Sequence, residues 1–301
     1  MSLVGKKMLK EFWKKLSYYI FEDSEEITTK KPLCIYHGNC ADGFAAAVII
    51  RMYNPDMEFY PGIHGEQPPD VTDREVIMLD FSYKKDLLEM LAWRAKSILI
   101  LDHHKSAEEN LKDLPENVAT IFDMNRSGAM ITWEHCFPNK EPPRLLKHIQ
   151  DRDLWKFELE GTQKIQAALF SYPYDFDLWE SFFRHDEVVD RLLLEGCSIT
   201  RKHFKDIEEL LSVTQRTMLI GDVEVPVANL PYTMSSDACH IMLKNAPFAA
   251  CYYDTPKQRR FSLRSSEKGM DVSKIASLYG GGGHKHAAGF EVHRDHPLAL
   301  A

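Results

Sequence analysis

The sequence lacks three features that would each mark a large class of proteins. None of its six cysteines forms a Cys-x-x-Cys pair, which argues against a structural zinc site, and they are too sparse for a disulfide framework. No run approaches the about 20 apolar residues of a membrane span. The formal net charge is −8, so the basic surplus of a long-duplex DNA binder is missing. We therefore expect a soluble cytoplasmic protein with neither a membrane span nor a long-duplex partner.

The first 20 residues differ from the rest, because they carry five lysines and a single glutamate. Apolar side chains recur among them at helical spacing, without the uninterrupted apolar core of a signal peptide. We predict an N-terminal helical extension over residues 1–30. This amphipathic helix either packs on the body of the protein or lies on a membrane or a nucleic acid.

The next 155 or so residues alternate between apolar runs and helical patterns. Apolar runs at 33–36, 76–79, 97–101 and 118–122 predict strands, and helices are predicted at 42–51, 87–93, 127–137 and 145–150. Such alternation is typical of a parallel sheet, so residues 31–185 are predicted to form a parallel-sheet domain.

The remainder predicts connecting helices and a second domain. Residues 186–217 are rich in charge and leucine at helical spacing and are predicted to connect the domains. Residues 218–301 contain strand patterns at 218–220, 223–228, 248–253 and 260–264, with helices at 235–244 and 272–279. The fold class is therefore α/β: a parallel-sheet domain and a smaller α/β domain, with the active site expected in the cleft between them.

Polar side chains follow three of the predicted strands. In a parallel sheet these strand ends share one edge, where ligands bind. One aspartate there is usually a helix cap, but a buried group of carboxylates repels itself unless cations intervene. Oxygen and imidazole ligands suit Mn²⁺, Mg²⁺, Zn²⁺ or Fe. The candidates are Asp42, Asp80, Asp102, His103, His104, Asp151 and Asp153.

Four of these segments resemble the motifs of the DHH phosphoesterases. The run 98–104, which ends in Asp102-His103-His104, is similar to the family's defining motif. Residues 36–43 resemble its first motif, 78–80 its second and 149–155 its fourth. The resemblance implies hydrolysis of phosphoesters with two divalent ions, Mn²⁺ by preference and Mg²⁺ as the alternative.

The resemblance also implies a role for each matched residue. His37 and Asp80 would hold one metal, and Asp80 would bridge to the other. That second ion would be held by Asp42, His103 and Asp151, with Asp153 as the alternative to Asp151. His104 would face the substrate phosphate, and Asp102 would orient a histidine. The catalytic residues are thus Asp80, Asp102 and His104.

The first motif departs from the family pattern at Cys40. The family places an aspartate two residues before the position of Asp42, and this chain has cysteine there. Asn39, Cys40 or a water would substitute as ligand. A cysteine ligand would favour softer metals, and the first metal position is expected to be the weaker one.

A glycine run forms the second candidate site. Residues 280–283 are four successive glycines, which could cradle an anion with backbone N–H groups or could form a flexible loop or an exposed edge strand. The segment resembles the DHH-associated C-terminal domain. That resemblance implies a substrate-binding domain in which Arg264 and His284 contact the substrate. The full set of predicted substrate-binding residues is His104, Ser262, Arg264, Gly281, Gly282, Gly283 and His284.

Three functions remain open at this point. The leading hypothesis is a phosphodiesterase that hydrolyses short oligonucleotides, or linear or cyclic dinucleotides, to mononucleotides. The alternatives are a phosphomonoesterase acting on a nucleotide such as adenosine 3′,5′-bisphosphate, and a non-catalytic nucleotide sensor with a degraded first metal site. The oligomeric state is open as well, with a homodimer among the alternatives.

Overall fold

The computed structural model describes residues 30–300, so the predicted N-terminal helix lies outside the described residues. By their contacts, the described residues group into two units. Unit 1 contains residues 30–103 and 107–197, and unit 2 contains residues 104–106 and 198–300. No helix within residues 30–300 is long and apolar enough to cross a membrane.

Unit 1 is built on a five-stranded sheet in which every strand pair is parallel, in the order β2-β1-β3-β4-β5. The central strands are almost continuously apolar and buried, as expected for a parallel sheet with both faces covered. The strands are β1 (Leu33–His37), β2 (Glu58–Gly62), β3 (Glu75–Leu79), β4 (Ser97–Asp102) and β5 (Val118–Phe122).

Eight α-helices lie between residues 41 and 214. They are α1 (Ala41–Tyr53), α2 (Lys85–Arg94), α3 (Lys105–Asn110), α4 (Gly128–Cys136), α5 (Arg144–Asp153), α6 (Thr162–Leu169), α7 (Phe176–Arg184) and α8 (Val188–Thr214). Helix α1 is buried over its first ten residues. Its small side chains explain that burial, because Ala45, Ala46 and Ala47 let the helix lie close to its neighbours.

Unit 2 contains a six-stranded mixed sheet in the order β10-β11-β9-β8-β7-β6. Only the β7–β8 pair is parallel. The strands are β6 (Arg216–Ile220), β7 (Val223–Asn229), β8 (Ala249–Asp254), β9 (Gln258–Arg264), β10 (Gly282–His284) and β11 (Ala287–His293), and the helices are α9 (Ser235–Leu243), α10 (Val272–Ser277) and α11 (Pro297–Leu300).

Alternate residues of the β8 strand join two different hydrophobic clusters of unit 2. Ala250 and Tyr252 pack with β9, β11 and α10, whereas Ala249 and Cys251 pack with α9 and the end of α8. The sheet is therefore covered on both faces, which is why its strands alternate between two apolar clusters.

The predicted fold class is confirmed: a parallel-sheet domain is followed by a smaller α/β domain. Strands β2 and β11 were absent from the prediction, and an edge strand at β10 was only one of the alternatives for the glycine run. Strand β2 contains Pro61 and lies at the edge of its sheet, where proline is tolerated. Strands β10 and β11 contain glycines, which have low strand propensity.

The domain bounds remain a prediction. Residues 186–217 were expected to connect the domains, and the single 27-residue helix α8 lies within that range. The division between the two units falls inside this helix, at Cys197 and Ser198.

Gly43 in the first turn of α1 provides a test of how tightly that helix packs on β1. A Cβ at position 43 would lie 2.5 Å from the His37 carbonyl oxygen and 2.6 Å from its Cβ. Helix propensity alone favours Gly43→Ala by about 1 kcal/mol. We expect the substitution to lower the free energy of unfolding by about 1–3 kcal/mol instead, because backbone atoms must shift. Urea unfolding measures this, and a variant as stable as the wild type would show that α1 is not held against β1 so closely.

Candidate metal centre

The candidate site lies where three parallel strands of unit 1 end. His37 is the last residue of β1, Asp80 follows the end of β3, and His103 follows the end of β4. The chain runs outward from β1 to β2 and then returns to the other side of β1 at β3, so the strand order reverses between β1 and β3. Such a reversal opens a crevice at the carboxyl ends of the strands, the usual ligand site in open α/β sheets.

Three carboxylates surround one imidazole nitrogen in this crevice. The His103 Nε2 lies 3.1 Å from an Asp80 oxygen, 3.3 Å from an Asp153 oxygen and 4.0 Å from an Asp42 oxygen. His103, Asp42 and Asp80 are each at most 2% exposed. One imidazolium cannot balance these three carboxylates, of which Asp42 and Asp80 are buried, so the cluster requires further protons or cations.

The ionisation of these groups reflects the same imbalance. Burial lowers the pKa of His103, but Asp153, Asp80 and Asp42 outweigh it and raise that pKa to about 10. Burial, together with Asp153 and Asp80, raises the pKa of Asp42 well above its usual range. The cluster therefore retains protons that a carboxyl and an imidazole would release in water, which is the behaviour of a site that attracts cations.

The second oxygen of Asp80 faces β1. It lies 3.2 Å from the His37 Nδ1 and accepts a hydrogen bond from the Cys40 thiol at 3.5 Å. Burial and the Asp80 charge raise the pKa of Cys40 to about 11, against the lowering effect of His37. Cys40 is therefore a neutral thiol that donates to Asp80. Asp80 itself contacts a histidine through each of its oxygens.

The backbone at Asp80 is unusual. Its φ is +52°, in the left-handed region that non-glycine residues enter at a cost of about 1–3 kcal/mol. Aspartate tolerates this region better than most residues. The strained turn directs the side chain between His37 and His103.

The first turn of α4 supports the site in a way that sequence analysis missed. Ser127 caps the helix by accepting a hydrogen bond from the Met130 N–H. The Ala129 N–H donates to the Asp42 carboxylate at 3.2 Å. A Cβ at Gly128 would lie 2.7 Å from the Asp80 Cβ, so glycine is needed for this approach. A serine before a glycine is too common a helix start to have identified this role.

The two fourth-motif aspartates have different surroundings in the structure. Asp151 was favoured as the metal ligand, and Asp153 was the alternative. Asp151 instead accepts hydrogen bonds from Glu158 N, Leu159 N and the Thr162 hydroxyl. Asp153 is the one that lies beside His103. Its carboxylate ends α5, where the helix dipole disfavours a negative charge, so a nearby cation would stabilise it.

Asp102 has a backbone contact in the structure. One carboxylate oxygen accepts the His103 N–H at 2.7 Å, and the side chain is buried. Through that bond Asp102 holds the chain at the position where the His103 ring enters the cluster.

These donors fit a divalent cation. Among the described residues, one ligand atom from each of Asp42, His103 and Asp153 lies within 4.8 Å of the others. The cluster combines carboxylate oxygens with imidazole nitrogens, a donor set that suits Mn²⁺, Mg²⁺ or Zn²⁺. On the other side of Asp80, His37 and the Cys40 thiol contact its second carboxylate oxygen.

The predicted substrate-binding residues belong to unit 2. The Arg264 guanidinium donates to the Ser236 hydroxyl at 2.7 Å, and Ser262 lies two residues before it on β9. Gly282 and Gly283 lie in β10, at the edge of the unit 2 sheet. An exposed edge strand was one of the alternatives to an anion-binding loop for this glycine run. His104, also grouped with unit 2, stacks its ring on that of His284 with centroids 4.5 Å apart.

The amino-acid sequence resembles that of one known viral protein. No family model matches this chain. An uncharacterized protein, R106, of Acanthamoeba polyphaga mimivirus is 32% identical over 281 residues, which cover 85% of this chain and 66% of that protein. The chain thus spans just under two thirds of this relative's length.

Two solved structures are similar over most of their length. An exopolyphosphatase-related protein of Bacteroides fragilis has a TM-score of 0.50 at 15% identity, covering 98% of this chain and 94% of that one. A pGpG-specific phosphodiesterase of Vibrio cholerae has a TM-score of 0.46 at 15% identity, covering 88% and 94%. The chain shares the two-domain α/β fold of the Bacteroides protein, which is consistent with the fold that the DHH resemblance implies.

Proposed function

We propose that the chain is a metal-dependent phosphodiesterase that hydrolyses short oligonucleotides, or linear or cyclic dinucleotides, to mononucleotides. One observation carries this proposal: Asp80 lies between His37 and His103, and the partly exposed Asp153 and the buried Asp42 complete the group of carboxylates. Such a group repels anions in the absence of cations and attracts them in their presence. The DHH resemblance of the four motifs points to the same chemistry.

The residues divide between two metal positions. His37 and Asp80 would hold one ion, with Cys40 beside them, and Asp42, Asp80, His103 and Asp153 would hold the other. When bound, two divalent cations supply Lewis acidity toward the phosphoryl oxygens and lower the pKa of a bound water. Asp80 can serve both positions because each of its oxygens faces a different histidine.

The protein's own groups perform the remaining tasks. Asp102 holds the backbone of His103. The Ala129 N–H at the start of α4 keeps the Asp42 carboxylate oriented. We propose that His104, Ser262, Arg264, Gly281, Gly282, Gly283 and His284 bind the substrate phosphate, with the Arg264 guanidinium as the charged donor.

The substrate class is tested by a length series. Hydrolysis of a dinucleotide, a longer oligonucleotide, adenosine 3′,5′-bisphosphate and inorganic polyphosphate would be compared with added Mn²⁺. Polyphosphate is included because the Bacteroides protein is described as exopolyphosphatase-related. We expect the dinucleotide to be turned over with the highest kcat/KM. Exclusive turnover of the bisphosphate would favour the phosphomonoesterase alternative, and tight nucleotide binding without turnover of any substrate would favour the sensor.

Replacement of Asp80 tests the shared ligand. We expect Asp80→Asn to lower Mn²⁺-dependent hydrolysis of bis-p-nitrophenyl phosphate by more than about 100-fold. Loss of groups that only support a metal ligand costs about 10–100-fold, and Asp80 would touch both ions. Asp123→Asn is the matched control, because Asp123 follows β5 at the same sheet edge and accepts a bond from Asn125 N. Near-normal activity of the Asp80 variant would refute a shared ligand.

The Cys40 thiol leads to a prediction about which metal ions bind beside His37 and Asp80. Cys40→Ser keeps a donor to Asp80 but replaces a soft sulfur with a hard oxygen. We expect the affinity for Cd²⁺ to fall by about tenfold or more, while the affinity for Mn²⁺ changes little. Competition titrations with a chelating dye measure both affinities. An equal effect on the two metals would indicate that Cys40 donates a hydrogen bond and does not bind metal.

A further inference from the structure

A hydrogen-bond chain links the last turn of α5 to the first turn of α6. Asp151 is 5% exposed, and both of its oxygens are occupied. One accepts Glu158 N at 2.9 Å, and the other accepts Leu159 N at 3.1 Å and the Thr162 hydroxyl at 2.6 Å. Three donors within the protein therefore satisfy this buried carboxylate without a metal.

The chain continues from Thr162 to His148. The Thr162 oxygen lies 2.8 Å from the His148 Nδ1, and both side chains are buried. The Thr162 hydroxyl has one proton, which it donates to Asp151. It therefore accepts its second bond, and the donor is the N–H at His148 Nδ1. The two ends of the chain, His148 and Asp151, lie one turn apart on α5.

The backbone between α5 and α6, which this hydrogen-bond chain encloses, is strained. Trp155 and Phe157 have φ values of +56° and +51°, a region that bulky residues rarely adopt. The Asp151 carbonyl accepts hydrogen bonds from Lys156 N and Phe157 N. Left-handed backbone costs about 1–3 kcal/mol at each residue, so surrounding contacts must hold the turn in this conformation.

Asp153 lies between the anchored residue and the strained turn. It is the last residue of α5, and its carboxylate is repelled by the helix dipole and by the nearby Asp42. Without an anchor, the end of the helix could relax and carry this side chain away from His103. The contacts of Asp151 oppose that movement from two residues away.

We propose that Asp151, acting with Thr162 and His148, is a positioning residue that fixes the end of α5 so that the Asp153 carboxylate faces His103. The inference rests on the proposed metal-dependent function. It gives Asp151 a role different from that of a metal ligand, and it adds two residues outside the four motifs to the groups that determine metal affinity.

The test separates positioning from general stability by measuring Mn²⁺ affinity and thermal unfolding on the same variants of the 301-residue chain. Thr162→Val removes the hydroxyl but keeps the side-chain volume, and Thr162→Ser keeps the hydroxyl. Asn117→Ala is the stability control, because its amide donates to the Ala92 and Ala95 carbonyls at the opposite end of the sheet.

We expect Thr162→Val to weaken Mn²⁺ binding about 10–100-fold, as is usual for groups that orient a metal ligand. Thr162→Ser should restore most of the affinity, and Asn117→Ala should lower the Tm without changing the Mn²⁺ Kd. Asp151→Asn should weaken binding in the same way, and it provides the comparison if Thr162→Val does not fold.

Two results would overturn the proposal and are distinguishable. If Thr162→Val lowers the Tm but leaves the Mn²⁺ Kd at the wild-type value, the hydrogen-bond chain is only structural, and the metal site stands without it. If the wild-type chain binds no Mn²⁺ in titration calorimetry, the proposed metal-dependent function fails, and the positioning role fails with it.

Discussion

The charge imbalance around the His103 Nε2 is the constraint that the surrounding structure depends on. Three carboxylate side chains lie within 4.0 Å of this one nitrogen. Because Asp42 and Asp80 are buried, this group is unfavourable unless protons or cations balance it and donors satisfy its oxygens. The local structure supplies such donors at several points: the start of α4 donates to Asp42, and the Cys40 thiol donates to Asp80. Close packing at Gly43 and Gly128 brings the helices near enough for these contacts.

The sequence predicted the central part of this arrangement for a simple physical reason. Strands β1, β3 and β4 are short apolar runs, and a polar residue directly after such a run must lie at the edge of the sheet. His37, Asp80 and His103 could therefore be placed together without a structure. Strand β2 could not be recognised in the same way, because Pro61 interrupts the pattern of a strand in this segment, and its position as an edge strand depends on tertiary contacts.

Helical positions were harder to predict than strand ends. Asp151 and Asp153 are two residues apart on α5, which turns a side chain by about 200° around the helix axis. Only one of them can face His103, and the choice depends on where α5 ends and which backbone groups of the following turn are left without partners. Nothing in residues 149–155 taken alone encodes that information, because the deciding partner, Thr162, lies a loop away. The motif resemblance located the segment and left the residue open.

The same electrostatics bears on how the proposed hydrolase would bind its substrate. A nucleotide phosphate is an anion, and the cluster of Asp42, Asp80 and Asp153 would repel it. Divalent cations reverse that sign, so substrate affinity must depend on prior cation binding. A protein that only senses nucleotides would gain nothing from this group of carboxylates, since arginine and backbone N–H groups bind phosphate without them. The unfavourable cluster is explained if the ions it attracts take part in the chemistry, and this favours the hydrolase over the sensor.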